Sequence, residues 1–450
     1  MSPAAPGQRP APLWGALAFG IWAAAIAFRP VLAAPAAAVA LVWWTLGSRV
    51  RWLALFLGTA LLLPPLPIPI GDSGPHPSMI FAALGLLAGV LWMGEWHVPG
   101  KSLNLAFAGL FAALLISIAP AAFYSGAIAA AGSAARVLLF GISVYVFFYS
   151  AYGPGREIDG ARSVRPLYAA AVAAALFACV DFYFQLPAPA GYGPQFVWLD
   201  TGVYRRAQGL FYEASTLGNF CVFFLVMIAA ALSRPRRESP VARKWLAAGA
   251  AALLAALVLS YSRASLVSLA VALSVLAWQN RRRISMLRVA VVAAAGALLT
   301  WLIFPVFVEL YWMRLSASAQ FFFSATEGIL SGRVASWRTL VDWVSANPWQ
   351  ALTGIGYKTL PYTSYLGAPI VADNMYLSLL VETGVAGLAA LIWLNVAIVR
   401  ALLRARDSLF RTWMLCFWAG QMVQMASGDL LTYWRVLPVY FFVLALALRQ

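Results

Sequence analysis

The sequence predicts an all-α, polytopic integral membrane protein of about 12–14 transmembrane helices with one large outer loop. Three observations carry that reading. Of the 450 residues, 63% are hydrophobic and 10% charged, and the mean hydropathy is +0.82. Soluble domains average roughly 25% charged residues, so this chain cannot cover a surface facing water, and a soluble enzyme is excluded. Apolar stretches long enough to cross a hydrocarbon core of ~30 Å, about 20 residues at ~1.5 Å each, recur along the whole chain. The basic residues between them alternate from loop to loop instead of spreading evenly.

Taken in order, the candidate spans lie near 12–29, 30–47, 52–70, 79–95, 104–123, 134–151, 167–186, 211–232, 245–261, 264–280, 289–308, 374–399, 412–430 and 434–448. The first two and the last two are short or closely joined, which leaves twelve or thirteen spans as the alternatives to fourteen. Residues 12–28 have the form of a signal-peptide core behind Arg9, but further apolar segments follow at once, so they read as an uncleaved first span.

A net charge of +16 would point to nucleic acid in a soluble protein. Here it has another source. Arg9, Arg49 and Arg51, Lys101, Arg156, Arg162 and Arg165, the runs Arg234 to Lys244, Arg281 to Arg288 and Arg400 to Arg411, and Arg449 all fall on one side of the alternation. That side holds 21 basic residues against five acidic ones (Glu95, Glu157, Asp159, Glu238, Asp407) and so carries the entire excess. The positive-inside rule makes it the cytoplasm and puts both termini there. The outer loops and the spans hold ten charges of each sign.

No internal repeat or low-complexity linker is found, so residues 1–450 read as a single membrane domain. Residues 309–372 form an outer loop of 64 residues between the eleventh and twelfth spans, containing Tyr311, Trp312 and Phe321 to Phe323. Within it, Val334, Trp337, Val341 and Val344 recur at helical spacing while Arg338, Asp342 and Ser345 take the other face, which predicts an amphipathic helix. Arg333, Arg338 and Asp342 are costly inside a bilayer, so this helix is expected on the membrane surface or over a cavity. A second outer loop, 187–209, is rich in Pro, Gly and Tyr. Cys179, Cys221 and Cys416 show no CxxC spacing, and His76 and His97 are isolated. Neither a disulfide framework nor a metal site is expected, and no cofactor.

Charges at the outer boundary are the informative set, because an Arg at the centre of a span costs ~2.5–3.5 kcal/mol and calls for water, a partner or an anionic ligand. Three constellations stand out: Tyr204-Arg205-Arg206 with Gly209, Phe211, Tyr212 and Glu213; Tyr261-Ser262-Arg263 with Ser265; and Asp373-Asn374 with Tyr376 and Leu377, followed by Glu382, Gly384 and Gly387. All three face outward, where helix ends can converge on one cavity.

On these residues, the region 200–400 resembles the O-antigen ligase and O-antigen polymerase family, integral-membrane enzymes that move lipid-linked glycans on the outer face of the bacterial inner membrane. The likeness rests on the R-x-x-G-x-F of Arg206, Gly209 and Phe211, the S-R of Ser262 and Arg263, and the large outer loop with its G-x-G at Gly354 and Gly356. It is completed by an N-x-Y-L-x-L-L-x-E-x-G-x-x-G pattern built from Asn374, Tyr376, Leu377, Leu379, Leu380, Glu382, Gly384 and Gly387. Residues 1–200 are alike only as apolar helices.

The resemblance implies a GT-C-like glycosyltransferase of the bacterial inner membrane, with a periplasmic active site. It would polymerise or transfer glycan repeats carried on undecaprenyl diphosphate. Its partners would be that donor, membrane lipids and, for a polymerase, a chain-length regulator, with no nucleic acid. Arg205, Arg206 and Arg263 would hold the diphosphate, because guanidinium matches phosphate oxygens and keeps its charge. Arg263 would also stabilise the charge growing on the leaving group, a role that stands in for a divalent metal; the chain has no D-x-D. Asp373 or Glu213 would take the proton of the acceptor hydroxyl. Arg333, Arg338, Tyr204, Tyr212, Trp337, Asn374 and Tyr376 are candidate contacts to the glycan, and Tyr357 and Tyr362 add rings for stacking. Two departures stand against the family pattern. Asp373 occupies a position where many ligases have His, which tilts the reading toward a polymerase, and Ala214-Ser215 replace a common Pro-Asn.

Simpler roles compete at several of these positions. Arg205 and Arg206 also fit headgroup anchors, Asp373 an N-cap of the twelfth span, and Glu382 the partner of an arginine. Gly354 and Gly356 fit a turn, and Gly384 and Gly387 fit close helix packing. A ligase delivering the glycan to lipid A-core is the alternative within this chemistry. A transporter or flippase of lipid-linked sugar is the alternative from another class, though its usual paired repeats are not found here.

Overall fold

The computed structural model describes residues 33–68, 74–189, 193, 195–199, 202–281 and 333–449. The candidate spans near 12–29 and 289–308, Tyr311, Trp312, Phe321 to Phe323 and most of the Arg281 to Arg288 run lie outside the described residues. The described chain forms α1 (Ala33–Leu46), α2 (Arg51–Leu62), α3 (Ser78–Leu91), α4 (Ser102–Ile116), α5 (Ile118–Tyr152), α6 (Gly160–Phe184) and a hairpin of β1 (Phe196–Leu199) and β2 (Gly202–Arg205). It continues with α7 (Ala214–Leu232), α8 (Arg243–Leu259), α9 (Arg263–Gln279), α10 (Arg333–Ala346), α11 (Pro348–Thr353), α12 (Met375–Arg404), α13 (Leu409–Gln424) and α14 (Leu437–Arg449). Four of these helices, α5, α6, α7 and α12, are long and apolar enough to cross a membrane, at 35, 25, 19 and 30 residues. The protein is an all-α, polytopic membrane protein, as expected.

Boundaries differ from expectation in ways the backbone explains. The spans expected at 104–123 and 134–151 are not separated by an open outer loop. Ser117 alone divides α4 from α5, and α5 runs through a kink at Gly126 (φ 85°, ψ 172°). The span expected over 374–399 continues to Arg404 and is likewise broken inside, at Gly384 (φ 70°, ψ −174°). Helix starts follow local capping chemistry. Asp159 accepts the Ala161 and Arg162 N–H groups at 2.9 and 3.3 Å, Ser262 that of Ser265 at 3.4 Å, and Ser408 that of Arg411 at 3.2 Å.

Helix α7 is the axis of the core, buried along most of its length and packed by α8, α9 and α13. Phe223 meets the rings of Trp413, Phe417 and Tyr440 at 4.4, 4.7 and 4.5 Å. Polar groups are threaded through this apolar centre and matched to one another. Asn219 donates to Gln421 and Gln424, each at 2.8 Å, and accepts from the Tyr440 hydroxyl at 2.7 Å. Gln421 and Gln424 donate in turn to Ser268 and Ser265. With no water in hydrocarbon to take their place, such bonds fix the register of α7, α9, α13 and α14. On α7, Gly218 leaves room for the turn that follows α8; an added Cβ would stand 2.8 Å from Ser265 Oγ and 2.9 Å from Ser262 Cβ.

The loops that the alternation assigns to the basic side do gather at one end. Arg49 pairs with Glu95 at 2.6 Å and Glu157 at 3.2 Å, Arg234 with Glu238 at 2.9 Å and with Asp407. Arg449 donates to the carbonyls of Gly155, Arg156 and Ile158.

At the opposite end, α10 is the expected amphipathic helix, with its buried face turned from the expected one. Leu340 is fully buried while Val341 is 51% exposed, so the packed stripe runs through Trp337, Leu340 and Val344. The cause is a second, small apolar cluster beneath it, made by Leu340, Ile355, Leu360, Ala372 and Val381. Leu340 faces that cluster directly, and α10 covers the start of α12.

Candidate active site

Backbone conformation marks one end of the bundle. Among the described residues, four non-glycine residues adopt left-handed φ: Gln185 (49°), Tyr261 (49°), Lys358 (60°) and Asp373 (45°). All four lie in loops at the end away from the basic cluster. A non-glycine residue held there costs of order 1–3 kcal/mol and persists only where its surroundings impose it, which is commonest at functional sites.

The first two support the arginines. Gln185 accepts the Arg205 N–H at 2.8 Å, and the Arg205 guanidinium is buried against Asp181 at 2.5 Å and the Leu186 carbonyl at 2.6 Å. The other Asp181 oxygen takes the Gly209 N–H at 3.3 Å. Arg205 thus belongs to an internal ion pair that seats the R-x-x-G segment on α6. Its neighbour Arg206 turns the other way. Its Nε donates to the Ser260 carbonyl at 2.8 Å, and the Ala207 N–H donates to that of Leu259 at 3.0 Å. After the left-handed Tyr261 and the capping Ser262, Arg263 opens α9 with its side chain exposed. The two motifs read separately in the sequence therefore share one turn, with Arg206 lashed to the residues that precede Arg263. Behind them, buried Arg435 lies over the Phe211 ring at 5.3 Å and donates to the carbonyls of Ala60, Leu63 and Leu210.

Glu213 stands immediately before α7 and accepts from the Ser215 hydroxyl at 2.8 Å. Burial pushes its carboxyl above the ordinary range; the Ser215 bond opposes this, nearby Asp373 adds to it, and nearby Lys358 opposes it. Asp373 precedes α12 and accepts from Arg333 Nε at 2.9 Å, while Trp337 Nε1 donates to the Ala372 carbonyl at 2.6 Å. Asp373 is not the cap of α12. Asn374 is, accepting the Leu377 N–H at 3.1 Å. That leaves the Asp373 carboxylate turned to Arg333 on α10.

The glycines of the outer loop and of α12 form one device. The break at Gly384 releases the carbonyls of Val381 and Glu382 from the helix ladder, and the Ile355 and Gly356 N–H groups take them at 3.1 and 2.8 Å. Contact is so close that a Cβ on Gly384 would lie 2.2 Å from the Leu352 carbonyl oxygen, and one on Gly354 2.4 Å from that of Glu382. Both residues have positive φ, at 70° and 77°, so only glycine serves at either. Gly384 is thus a break point and not merely a packing surface. The Glu382 carboxylate has no arginine partner among the described residues; its Oε1 accepts the Leu360 N–H at 3.2 Å.

Of the remaining candidates, Tyr376 donates to the Met422 carbonyl at 2.9 Å and ties α12 to α13. Tyr204 is half-buried, 6.3 Å from the Phe182 ring; Tyr212 and Arg338 are exposed. The structure adds residues that the sequence reading passed over. Lys358 pairs with Asp429, both within electrostatic reach of Glu213. Tyr433 also faces Glu213, and Arg136 donates to the Tyr362 hydroxyl at 2.7 Å. One signal was available: of the chain's three lysines, Lys358 alone lies off the basic side.

Arginines, carboxylates and aromatic rings meeting at one end of a membrane bundle form a site able to hold an anionic group beside a proton acceptor. Residues 248–392 match the O-antigen ligase family model. The match supports a likeness to the O-antigen ligase and polymerase family and, with it, glycosyltransferase-like activity in general. It covers Arg263, Arg333, Lys358, Asp373 and Glu382, while Arg205, Arg206 and Glu213 precede it. No curated protein matches the chain.

Proposed function

We propose that the chain is a GT-C-like glycosyltransferase that extends a surface polysaccharide on the periplasmic face of the bacterial inner membrane. It takes a glycan from undecaprenyl diphosphate and adds it to the end of another lipid-linked glycan. The observation that carries this reading is the turn shared by Arg206 and Arg263, whose Ser262 packs against Gly218 of α7, five residues on from the half-buried Glu213. In the proposed step an acceptor hydroxyl attacks the anomeric carbon. The bond from that carbon to the diphosphate oxygen breaks, its electron pair leaves with the diphosphate, and the hydroxyl proton passes to a carboxylate. Arg206 and Arg263 hold the diphosphate and offset the charge that grows on it, without a metal.

Glu213 suits the base better than Asp373. It is half-buried, and desolvation raises its carboxyl above the ordinary range, the direction that suits a base, whereas Asp373 is ion-paired with Arg333. In this reading Asp373, Arg333 and the rings above α12 orient the acceptor glycan. Purified protein in a bilayer, given undecaprenyl-diphosphate-linked glycan as donor and acceptor with EDTA present, should lengthen the glycan. Donor crossing the bilayer with no new glycosidic bond would overturn the proposal in favour of a flippase. The matched family is described as O-antigen ligase; in that second reading the acceptor is lipid A-core, and the same assay with that acceptor separates ligase from polymerase.

A further inference from the structure

Lys358 occupies a place that needs a cation. Its side chain is 15% exposed and pairs with Asp429, itself 11% exposed. Its backbone is left-handed, held there from both sides. Upstream lies the clamp of Gly354 to Gly356 on the broken end of α12. Downstream, the Leu360 N–H donates to Glu382 at 3.2 Å and the Thr359 hydroxyl to the Gly356 carbonyl at 2.7 Å. The other oxygen of Glu382 is buried and finds no hydrogen bond among the described residues.

Three carboxylates lie within reach of this loop, Glu382, Asp429 and Glu213, and a fourth, Asp373, acts on Glu213. Asp373 has Arg333. Glu213, Glu382 and Asp429 all act on the charge of Lys358. Burial alone pulls the Lys358 ammonium down, but Asp429, Glu382 and Glu213 together outweigh that and raise it, so it keeps its proton at any working pH. The groups facing Glu213 are Ser215 from its own helix, Asp373 from the start of α12, Lys358 from the loop, and Asp429 and Tyr433 from the connection between α13 and α14.

We propose that Lys358 is a positioning residue for glycosyl transfer: it neutralises the carboxylates packed around Glu213 and binds the outer loop to the Asp429 turn, so that Glu213 stays ionised and ready to take the acceptor's proton. This rests on the reading of Glu213 as the base. Without the ammonium, carboxylates crowded in a buried site favour the protonated form.

The test uses a hydrophobic carbodiimide, which reacts only with protonated carboxyl groups. The full-length protein in lipid nanodiscs is titrated across pH, and labelling of Glu213 is read by peptide mass spectrometry. Lys358→Met should move the labelling curve up by about one pH unit, whereas Lys358→Arg should leave it in place. Asp429→Asn removes a negative neighbour and leaves Lys358 to Glu213, so it should move the curve the opposite way. A loosened fold would shift both variants in the same direction; that result, or curves that do not move, overturns the role of Lys358. Should Lys358→Met fail to fold, Lys358→Gln is titrated in its place and should likewise move the curve upward, with an unmoved curve overturning the role. Transfer activity forms a separate arm. Labelling that shifts while the acidic limb of the transfer rate stays fixed removes Glu213 as base, and labelling that stays fixed removes Lys358 whatever the transfer rate does.

Discussion

The two ends of the helix bundle handle charge in opposite ways. At the basic end, arginines pair with carboxylates near water; Arg49, 32% exposed, spans Glu95 and Glu157, and Asp407 is shared between Arg234 and Arg411. The loops there turn without a left-handed non-glycine residue among the described positions. At the other end, Arg205 and Lys358 are buried with their partners, Arg206 is tied to a backbone carbonyl, and four strained residues shape the loops. Exposed pairs contribute little to stability, whereas buried charges cost several kcal/mol to desolvate. Charge at the basic end is suited to orienting the chain, and charge at the other end to acting on something.

Substitutions can break or sharpen that contrast. The largest effect is expected from Glu213→Gln, which keeps size and polarity but cannot take a proton. Transfer should fall by about 1,000-fold, read as the initial rate of glycan elongation. Asp373→Asn should fall much less, and its helix start should be intact because Asn374 holds the cap. The reverse order would exchange the roles of the two carboxylates. A base must be ionised to work, and burial lifts Glu213 above its usual range. The wild-type rate should therefore drop on acidification at a pH above that of an ordinary glutamate, and an acid limb near the ordinary value would count against Glu213.

Next in size, Arg263→Ala and Arg263→Lys should each lose about 100-fold in transfer while expressing and purifying normally. Lysine keeps the charge but not the fork that fits two phosphate oxygens, so a fully active Arg263→Lys would reduce this residue to a surface charge. Gly384→Ala tests construction rather than chemistry. Its φ of 70° and the nearby Leu352 carbonyl leave no place for a methyl group, so thermal unfolding should report a loss of about 2 kcal/mol or more. Smallest of all, Arg49→Ala at the basic end should cost under about 1 kcal/mol and leave transfer unchanged. A collapse of activity there would erase the distinction between the ends.

Much of the fold was open to reading because membrane insertion writes itself into local sequence. Apolar length marks a span and basic loops mark a side, and the loops grouped by that alternation do meet at one end, as Arg49, Glu95 and Glu157 demonstrate. Helix breaks were harder to see. The glycine at 384 interrupts a helix that composition shows as one apolar run, while that at 126 only kinks a helix where composition places a loop between two spans. In α10 the periodicity identified the helix, but the choice between Leu340 and Val341 for the buried face depends on what lies beneath, which no local pattern contains. The arginine motifs stood out because charge beside apolar spans is conspicuous. Lys358 and Asp429 did not, since each sits in a short loop without periodicity and gains meaning only from the other. By residue type Asp373 fits either cap or catalytic group, and the left-handed turn that passes the cap to Asn374 is not visible in residue types.

At the root of the outer loop, the N–H groups of Ile355 and Gly356 are laid on the Val381 and Glu382 carbonyls of α12 beside the break at Gly384. Such an anchor does not care which side chains the loop carries, provided its glycines are kept. Residues 361–371, beyond the buried Tyr357 and Leu360 and the ion-paired Lys358, can then drift, lengthen or trade rings for polar groups while the root of the loop stays in place beside the candidate site. On the proposed function, that separation of anchor from contact surface allows sugar preference to change without rebuilding the membrane core.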